Sequence, residues 1–513
     1  MYSKVCIIFF ELEPYFFNFL LIFMIKYFVK YLFFSLLVVA AIGCSHNKKN
    51  NILFIIVDDL RPELPSYGKT HVKAPNLTRF ATKGVQFDNA YCNIPVCGAS
   101  RGSILTGMKP NNERLKYYYS TIESDLPNAI TISDHLNQNG YKTVSNGKVS
   151  HCSDDMDHTW GEIWNPDGMR DPCPNGFWRN YLLPENIEAE KRWDTTPNAP
   201  VSIGYNILSA IENADVEDDA YFDGQIATKT IKDLKKFKET GESFVIFTGF
   251  LKPHLPFNAP SKYWDMYSEN EIKLPINNSF PKDAPAQAGR WYELVRYKDV
   301  VESSINGGLN GNNYSINGDF QKKLIHGYYA CVSYTDAQIG RILTTLDELE
   351  LDENTVVIIT SDHGWSLGEH NRWSKHNLFD VEMRVPLIIK APGMPANKVS
   401  KSFVELIDLY PTICDLLVIS KPNQLEGKSI LKNLKNPKLI THDNAVSRYI
   451  EGESFISNDY LYSEWKDKKG NITAKMLYDK KLDSLQMKNI SEKENSKKIV
   501  DSLSLIIKNY YKS

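Results

Sequence analysis

The sequence carries no charge excess of either sign. Its 59 Lys and Arg residues stand against 62 Asp and Glu, a net charge of -3, which removes the basic footprint of a nucleic-acid binder. No two of its eight cysteines (Cys6, Cys44, Cys92, Cys97, Cys152, Cys173, Cys331, Cys414) are spaced as CxxC, so a zinc ribbon has no support. No internal repeat occurs, which excludes solenoids and propellers. Nor are apolar residues scarce: 42% hydrophobic and 24% charged residues exclude wholesale disorder. A chain of 513 residues has room for two or more domains or subdomains. Aromatics at 12% suit a carbohydrate-facing enzyme and, equally, a well-filled core.

What is present begins with an address. Residues 15–44 are strongly apolar, interrupted by Lys26 and Lys30. Read from Met24, a basic stretch leads into apolar Leu32–Ile42 and a small-residue site ending at Cys44, the architecture of a signal peptide. It resembles a bacterial lipoprotein signal, with Cys44 lipidated and a short polar tether over 45–50. Residues 1–44 are therefore expected to be a leader whose true start is Met24, giving an exported lipoprotein in the periplasm or on the outer-membrane surface. An uncleaved transmembrane anchor and plain secretion are the alternatives. In an exported chain disulfides are permitted, and Cys152–Cys173 is the plausible pair. Cys331 and Cys414 fall in helical, apolar contexts and read as core.

Continuous apolar runs at Asn51–Val57, Phe244–Phe250, Thr355–Thr360 and Val385–Lys390 read as buried strands. Lys142–Val144 reads as a short one. Helical periodicity marks Pro75–Lys83, Thr131–Asn139, Ala220–Lys238, Phe320–Leu349 and Asp408–Leu417. The alternation predicts an α/β sheet with helices on both faces. Two stretches, 151–204 and 268–319, look poor in regular structure and are expected to shape a cleft. Beyond about Asn433 the pattern predicts a small antiparallel sheet, including Tyr460–Trp465 and Ala474–Leu477, and a terminal helix Val500–Tyr511. The expected division is a catalytic domain over 51–435 and a subdomain over 436–513.

Chemistry-bearing residues gather behind these strands. Asp58 and Asp59 follow the first one, and ligands of open α/β sheets sit at the carboxyl ends of strands. Two adjacent carboxylates repel unless a cation joins them; a helix cap and turn is the alternative. Asp362, His363 and Gly364 follow Thr355–Thr360 in the same way. Three Asp and one His suit Ca²⁺, with Mg²⁺ or Mn²⁺ left open by the imidazole. A third segment reads Cys97-Gly98-Ala99-Ser100-Arg101-Gly102-Ser103-Ile104-Leu105-Thr106-Gly107.

This segment resembles the signature C-x-P/A-S-R-x-x-x-L-T-G of the type I, formylglycine-dependent sulfatases, matching at seven positions. The Asp-Asp and Asp-His-Gly elements and the run Gly364–Lys375 agree with that family in order, and the resemblance covers roughly 50–435. Within the family the chain is most similar to iduronate-2-sulfatase-like enzymes. The resemblance implies an alkaline-phosphatase-like, mainly parallel mixed sheet. It implies that Cys97 is oxidised to formylglycine (3-oxoalanine) by a sulfatase-maturating enzyme, for which Ala99 in place of Pro points to a radical-SAM type. It makes Asp58, Asp59, Cys97, Asp362 and His363 metal ligands. Arg101 would hold the oxyanion of the hydrated aldehyde. Lys148 and His151, in Gly147-Lys148-Val149-Ser150-His151, would bind sulfate and act as base. His254, in Lys252-Pro253-His254, would be the general acid, and Lys375 a sulfate clamp. Trp365, Glu369, His370 and Arg372 would border the substrate, or line the loop against the core.

The implied reaction is hydrolysis of sulfate esters on a sulfated poly- or oligosaccharide, with a uronate 2-O-sulfate of glycosaminoglycan or ulvan favoured. A phosphatase or phosphodiesterase of the same superfamily is the first alternative, but such enzymes offer Ser or Thr where this chain has Cys97. A non-catalytic glycan-binding lipoprotein is the second, disfavoured because nucleophile, ligands and histidines are all present.

Overall fold

The computed structural model describes residues 23–27, 30, 49–152, 154–169, 179–195, 207–289, 293–305 and 315–512. Contacts divide the chain into Met1–Lys49 and Asn50–Ser513. In the first unit residues 23–27 and 30 are helical; Cys44 and the rest of the expected leader lie outside the described residues. Among the described residues no helix is long and apolar enough to cross a membrane.

The second unit is built on eight strands. They are β1 (Asn51–Val57), β2 (Val85–Tyr91), β3 (Lys142–Gly147), β4 (Glu162–Trp164), β6 (Phe244–Phe250), β8 (Thr355–Ser361), β9 (Arg384–Lys390) and β10 (Lys398–Glu405); β5 (Ile211–Ala214) and β7 (Phe257–Pro260) form a separate parallel pair. The spatial order is β10-β2-β9-β8-β1-β6-β3-β4. β1 is central and explains its own apolar sequence. Leu53, Ile55 and Val57 enter one hydrophobic cluster, while Ile52, Phe54 and Ile56 enter another on the opposite face. It pairs in parallel with β6 and β8. Every pairing in the sheet is parallel except those of β9 with β2 and β8. The mixed, mainly parallel sheet with helices on both faces is as the alternation predicts. Gly318–Glu348 and Phe222–Thr240 pack on one face, Cys97–Thr106 and Leu409–Leu417 on the other.

The C-terminal sheet is antiparallel, β11 (Asn444–Tyr449), β12 (Gly452–Ser457), β13 (Tyr460–Lys466) and β14 (Ile472–Asp479) in sequential order. Phe455, Tyr462 and Leu477 on one face meet Val500, Leu503 and Ile507 of the helix Lys497–Tyr510. Ala445, Ile456, Leu461 and Met476 on the other join the core of the large sheet. Burial through a shared core makes the subdomain part of one compact unit.

Several expectations needed correction. β2 and β10 escaped the sequence reading because VQFDNAY and KVSKSFVE mix polar with apolar residues, yet they pair with each other and β2 also with β9. The stretch 151–204, read as irregular, contains the helix Pro184–Thr195, closed on the core by Trp193. Cys152 is disulfide-bonded, while its expected partner Cys173 lies outside the described residues. Cys92, Cys331 and Cys414 are free and buried.

Candidate active site

The sheet topology brings the chemistry to one edge. In register, Val57 ends beside Ser361 and Phe250, and Gly147 beside Gly249. The residues that follow, Asp58, Asp362, Lys148 and the 251–256 loop, therefore leave the sheet at the same end. Asp59 takes a left-handed backbone with φ 63°, a conformation costing of order 1 kcal/mol or more for a non-glycine residue. The turn is held by two side chains: Tyr328 donates its hydroxyl to the Asp59 carbonyl (2.8 Å) and accepts from Arg61 N (3.1 Å), and Leu60 N donates to Ser361 Oγ (3.0 Å). The strain lets two successive carboxylates face the same point.

Cys97 opens the helix Cys97–Thr106, every residue of which is buried. Small side chains permit that close fit. A Cβ on Gly98 would meet the Tyr118 carbonyl oxygen at 2.1 Å, where the Gly98 N–H instead donates at 3.0 Å. The positive end of the helix dipole thus points at position 97, favouring an anion there. Ser100 Oγ ties the helix to the Asp362 carbonyl (2.5 Å) and Arg101 Nε to Asp362 Oδ2 (2.9 Å).

Around Cys97 the groups converge. Sγ lies 3.5 Å from Asp58 Oδ1 and 3.3 Å from His363 Nε2. Asp58 is ion-paired to Lys148 and lies 3.8 Å from Arg101. Lys375 Nζ sits 3.0 Å from Asp59 Oδ1. His363 Nδ1 is 3.0 Å from the Gly364 carbonyl; a carbonyl only accepts, so Nδ1 carries a hydrogen, and Nε2 faces position 97. Asp58, Asp59, Cys97 and His363 place one ligand atom each within 4.8 Å of one another, the one such group among the described residues. Asp362, expected as a fifth ligand, brings Oδ2 to 3.7 Å from His363 Nε2 and accepts from Arg101 (2.9 Å) and from the N–H groups of Asp59 (3.3 Å) and His363 (3.0 Å).

Burial and charge act differently on the two neighbouring carboxylates. Burial works to raise the Asp58 carboxyl, but Lys148 and its neighbours outweigh it and hold the group well below the usual range. Burial wins at Asp59, despite Lys375, and drives that carboxyl well up. Burial, seconded by Asp58, pushes the Cys97 thiol up to about 12, so the unmodified side chain is no thiolate at neutral pH. A donor set of two carboxylates and one imidazole around a fourth side chain fits a divalent cation.

The comparisons with known proteins agree with this geometry. A family model described as sulfatase matches residues 50–419. The chain belongs to the sulfatase family. A second model, for the C-terminal part of N-sulphoglucosamine sulphohydrolase, matches 368–512. Over 436 residues the chain is 33% identical to iduronate 2-sulfatase of Mus musculus, covering 77% of this chain and 76% of that one. A solved structure in complex with its substrate D-glucosamine-2-N,6-O-disulfate shares the fold with TM-score 0.69 at 20% identity, over 91% of this chain and 98% of the other. The phosphonate monoester hydrolase of Agrobacterium radiobacter shares it with TM-score 0.67 at 21% identity, over 90% and 95%. This sulfatase is a sulfuric ester hydrolase, similar within the family to iduronate 2-sulfatase.

Other expected residues of this sulfatase divide sharply. His151 is buried near the cluster, its imidazole held well below the ordinary value by burial and Lys148. His254 Nε2 pairs with Glu293 Oε1 at 3.2 Å. The loop expected to border the substrate is packed inward. Trp365 is fully buried beneath Lys375, whose Nζ lies 5.2 Å from the ring. Glu369 is paired to Arg61 (2.7 Å), and Arg372 to Glu382 (3.0 Å). His370 stacks on Phe379 with centroids 4.1 Å apart. Each has an internal partner, so these four line the loop against the core.

Residues the sequence reading missed stand at the mouth. Glu293 contacts His254 and also Lys375 (3.4 Å) and His376 (3.9 Å). Tyr118, exposed like its neighbours Tyr117 and Tyr119, sets its ring edge-on to both His151 (6.1 Å) and His376 (6.3 Å). Three consecutive tyrosines were the available signal. Glu293 had none, since it follows no strand and sits in a stretch read only as irregular.

Proposed function

We propose that this sulfatase removes a sulfate ester from a uronate-containing saccharide, a uronate 2-O-sulfate as in glycosaminoglycan, with formylglycine formed at Cys97 and a divalent cation, Ca²⁺ first, held by Asp58, Asp59, position 97, Asp362 and His363. The observation that carries the reading is the buried convergence of these groups with Arg101, Lys148 and Lys375 on the amino end of a helix. The likeness to iduronate 2-sulfatase supports the substrate class. When bound, the cation supplies a Lewis acid and neutralises anionic charge; the hydrated aldehyde supplies one hydroxyl to attack sulfur and a second to expel sulfate.

The chain's own side chains do the rest. Lys148 and Lys375 hold the sulfate oxygens, each already fixed by an aspartate. Arg101 holds the charge developing on the nucleophile oxygen. His151, kept neutral by burial, takes a proton from the second hydroxyl. His254, at the mouth, protects the leaving oxygen from departing as an anion. The sugar ring rests on the edge formed by Tyr117, Tyr118 and Tyr119, since exposed aromatic faces suit the apolar faces of sugars. A sulfatase-maturating enzyme acts on the segment from Cys97 to Gly107 before it is buried. Export with lipid attached at Cys44 places the enzyme where extracellular polysaccharide arrives; labelling with a fatty acid, lost in Cys44→Ala, tests this.

The test of substrate class is a panel. The protein, produced with a maturase, is offered unsaturated and saturated uronate 2-O-sulfated disaccharides from heparin, chondroitin and ulvan, together with 6-O-sulfated hexosamines and phenyl phosphonate esters. Sulfate release confined to the uronate 2-O-sulfates is expected. Release from the hexosamine sulfates instead would overturn the linkage, and turnover of phosphonates alone would overturn the chemistry.

A further inference from the structure

We propose that Glu293 is the positioning residue that makes His254 a proton donor to the departing alcohol. The inference rests on the sulfatase reading above and deepens it. It starts from exposure. Cys97, Asp58, Asp59, Lys148 and Lys375 are essentially closed to solvent, whereas the side chains of His254, Glu293 and His376 are 20%, 13% and 11% exposed. The sulfate end of an ester is taken inward by the cations, so its sugar end must lie along this opening. A group that protonates the leaving oxygen has to stand here.

His254 stands there with both ring nitrogens facing acceptors. Nδ1 lies 2.5 Å from the Leu255 carbonyl oxygen, and Nε2 lies 3.2 Å from Glu293 Oε1. A carbonyl and a carboxylate only accept, so both contacts are hydrogen bonds only when both nitrogens carry hydrogen. The pair is built for an imidazolium. The loop holding it is tied down: Leu251 N and Lys252 N donate to Asp223, and Lys252 Nζ donates to the carbonyls of His254 (3.0 Å) and Pro256 (2.7 Å). Glu293 itself is kept ionised. Burial opposes this, but Lys375, His254 and His376 outweigh it. Burial, Lys375 and Lys148 stand against the imidazolium and outweigh Asp58 and Glu293, so without a sulfate ester the ring lies below its ordinary value. A sulfate ester seated on Lys148 and Lys375 offsets the two opposing charges, leaving Glu293 to decide the outcome.

The step balances. As the S–O bond to the sugar breaks, its electron pair stays on the bridging oxygen. That oxygen displaces Glu293 Oε1 from the single hydrogen of Nε2 and takes that proton, while the sulfur bonds to the nucleophile oxygen at position 97, which has released its own proton to solvent on ionising. His254 is left neutral, with Nδ1–H still on the Leu255 carbonyl, and Nε2 regains a proton from water. Glu293 touches no atom of the ester; it acts through Nε2, which it orients and whose protonated form it favours.

The experiment compares kcat/KM of the wild type, His254→Ala, Glu293→Gln and the double variant over aryl sulfates of graded leaving-group acidity and one uronate 2-O-sulfated disaccharide. Glu293→Gln is expected to lose about 10- to 100-fold on the disaccharide, part of the range general acids supply, and little on nitrocatechol sulfate, whose phenolate leaves unaided. The loss in the double variant should match His254→Ala alone, not the product of the two. Glu293→Asp, which keeps the charge, should restore most of the disaccharide activity. Equal loss on all substrates, or no loss on the disaccharide, would overturn the inference while leaving the acid role of His254 intact. If His254→Ala shows no dependence on the leaving group, the acid role falls and Glu293 with it.

Discussion

Two regions of this sulfatase carry the same kinds of residue and behave oppositely. At the carboxyl ends of β8, β1, β6 and β3, aspartates, lysines, an arginine and histidines converge on position 97 with carboxylates crowded against one another. A few residues beyond Asp362, the 365–374 loop holds Trp365, Glu369, His370 and Arg372, and every one of them is closed off by a partner in the core. Residue type does not distinguish the two. What does is the end of a central strand, where the backbone leaves the sheet and several side chains must share one space. In the loop, Glu369 shares Arg61 with Glu63 and Arg372 pairs with Glu382, and these contacts serve packing.

The comparison can be broken from either side. The largest effect expected is at the convergence: Cys97→Ala should remove activity by about 10⁴-fold or more, the scale of nucleophile loss, with the fold unchanged by circular dichroism. Asp59→Asn should lose both Ca²⁺ binding, read by calorimetry, and activity, the latter by on the order of 10³-fold. If Asp59→Asn stays fully active, the cluster is not the cation site. In the loop the expectation reverses. Arg372→Met strands Glu382 in the core and should cost about 3–5 kcal/mol of stability by denaturant titration, while KM of the folded fraction stays put. A raised KM with unchanged stability would return that loop to the substrate.

Smaller effects sharpen the contrast. Tyr118→Leu should raise KM for the disaccharide about 2- to 10-fold and leave aryl sulfates nearly unaffected. The paired region also has a pH signature. Burial would raise the Glu63 carboxyl, but Arg61 (2.6 Å) and His71 hold it at about 2 against an ordinary 4.5. Between those values the unfolded chain binds more protons than the folded one, so stability present above about 4.5 is lost as pH falls toward about 2. Glu63→Gln should flatten that part of the stability profile.

Much of this was legible in the sequence, and the reasons are particular. Asn51–Val57 reads as a central strand because both its faces are apolar, and that one assignment locates Asp58 and Asp59. The spacing around Cys97 carries a chemical signature that packing does not require. β2 and β10 were hidden because they carry polar residues at buried positions, among them Gln86, Ser400 and Ser402. The inward turn of Glu369 and Arg372 was hidden because their partners, Arg61 and Glu382, come from other segments. Glu293 was hidden for the same reason: its meaning lies in contacts to His254 and Lys375, 39 and 82 positions away.

The central claim is that position 97 is the reacting group and that it works only as the oxidised residue. The direct measurement is sulfate release by ion chromatography from a uronate 2-O-sulfated disaccharide, set against the fraction of formylglycine at position 97 found by mass spectrometry in preparations made with and without a maturase. The account predicts a rate proportional to that fraction, passing through zero, and no release from Cys97→Ala. A rate independent of the fraction, or release by Cys97→Ala, would contradict it.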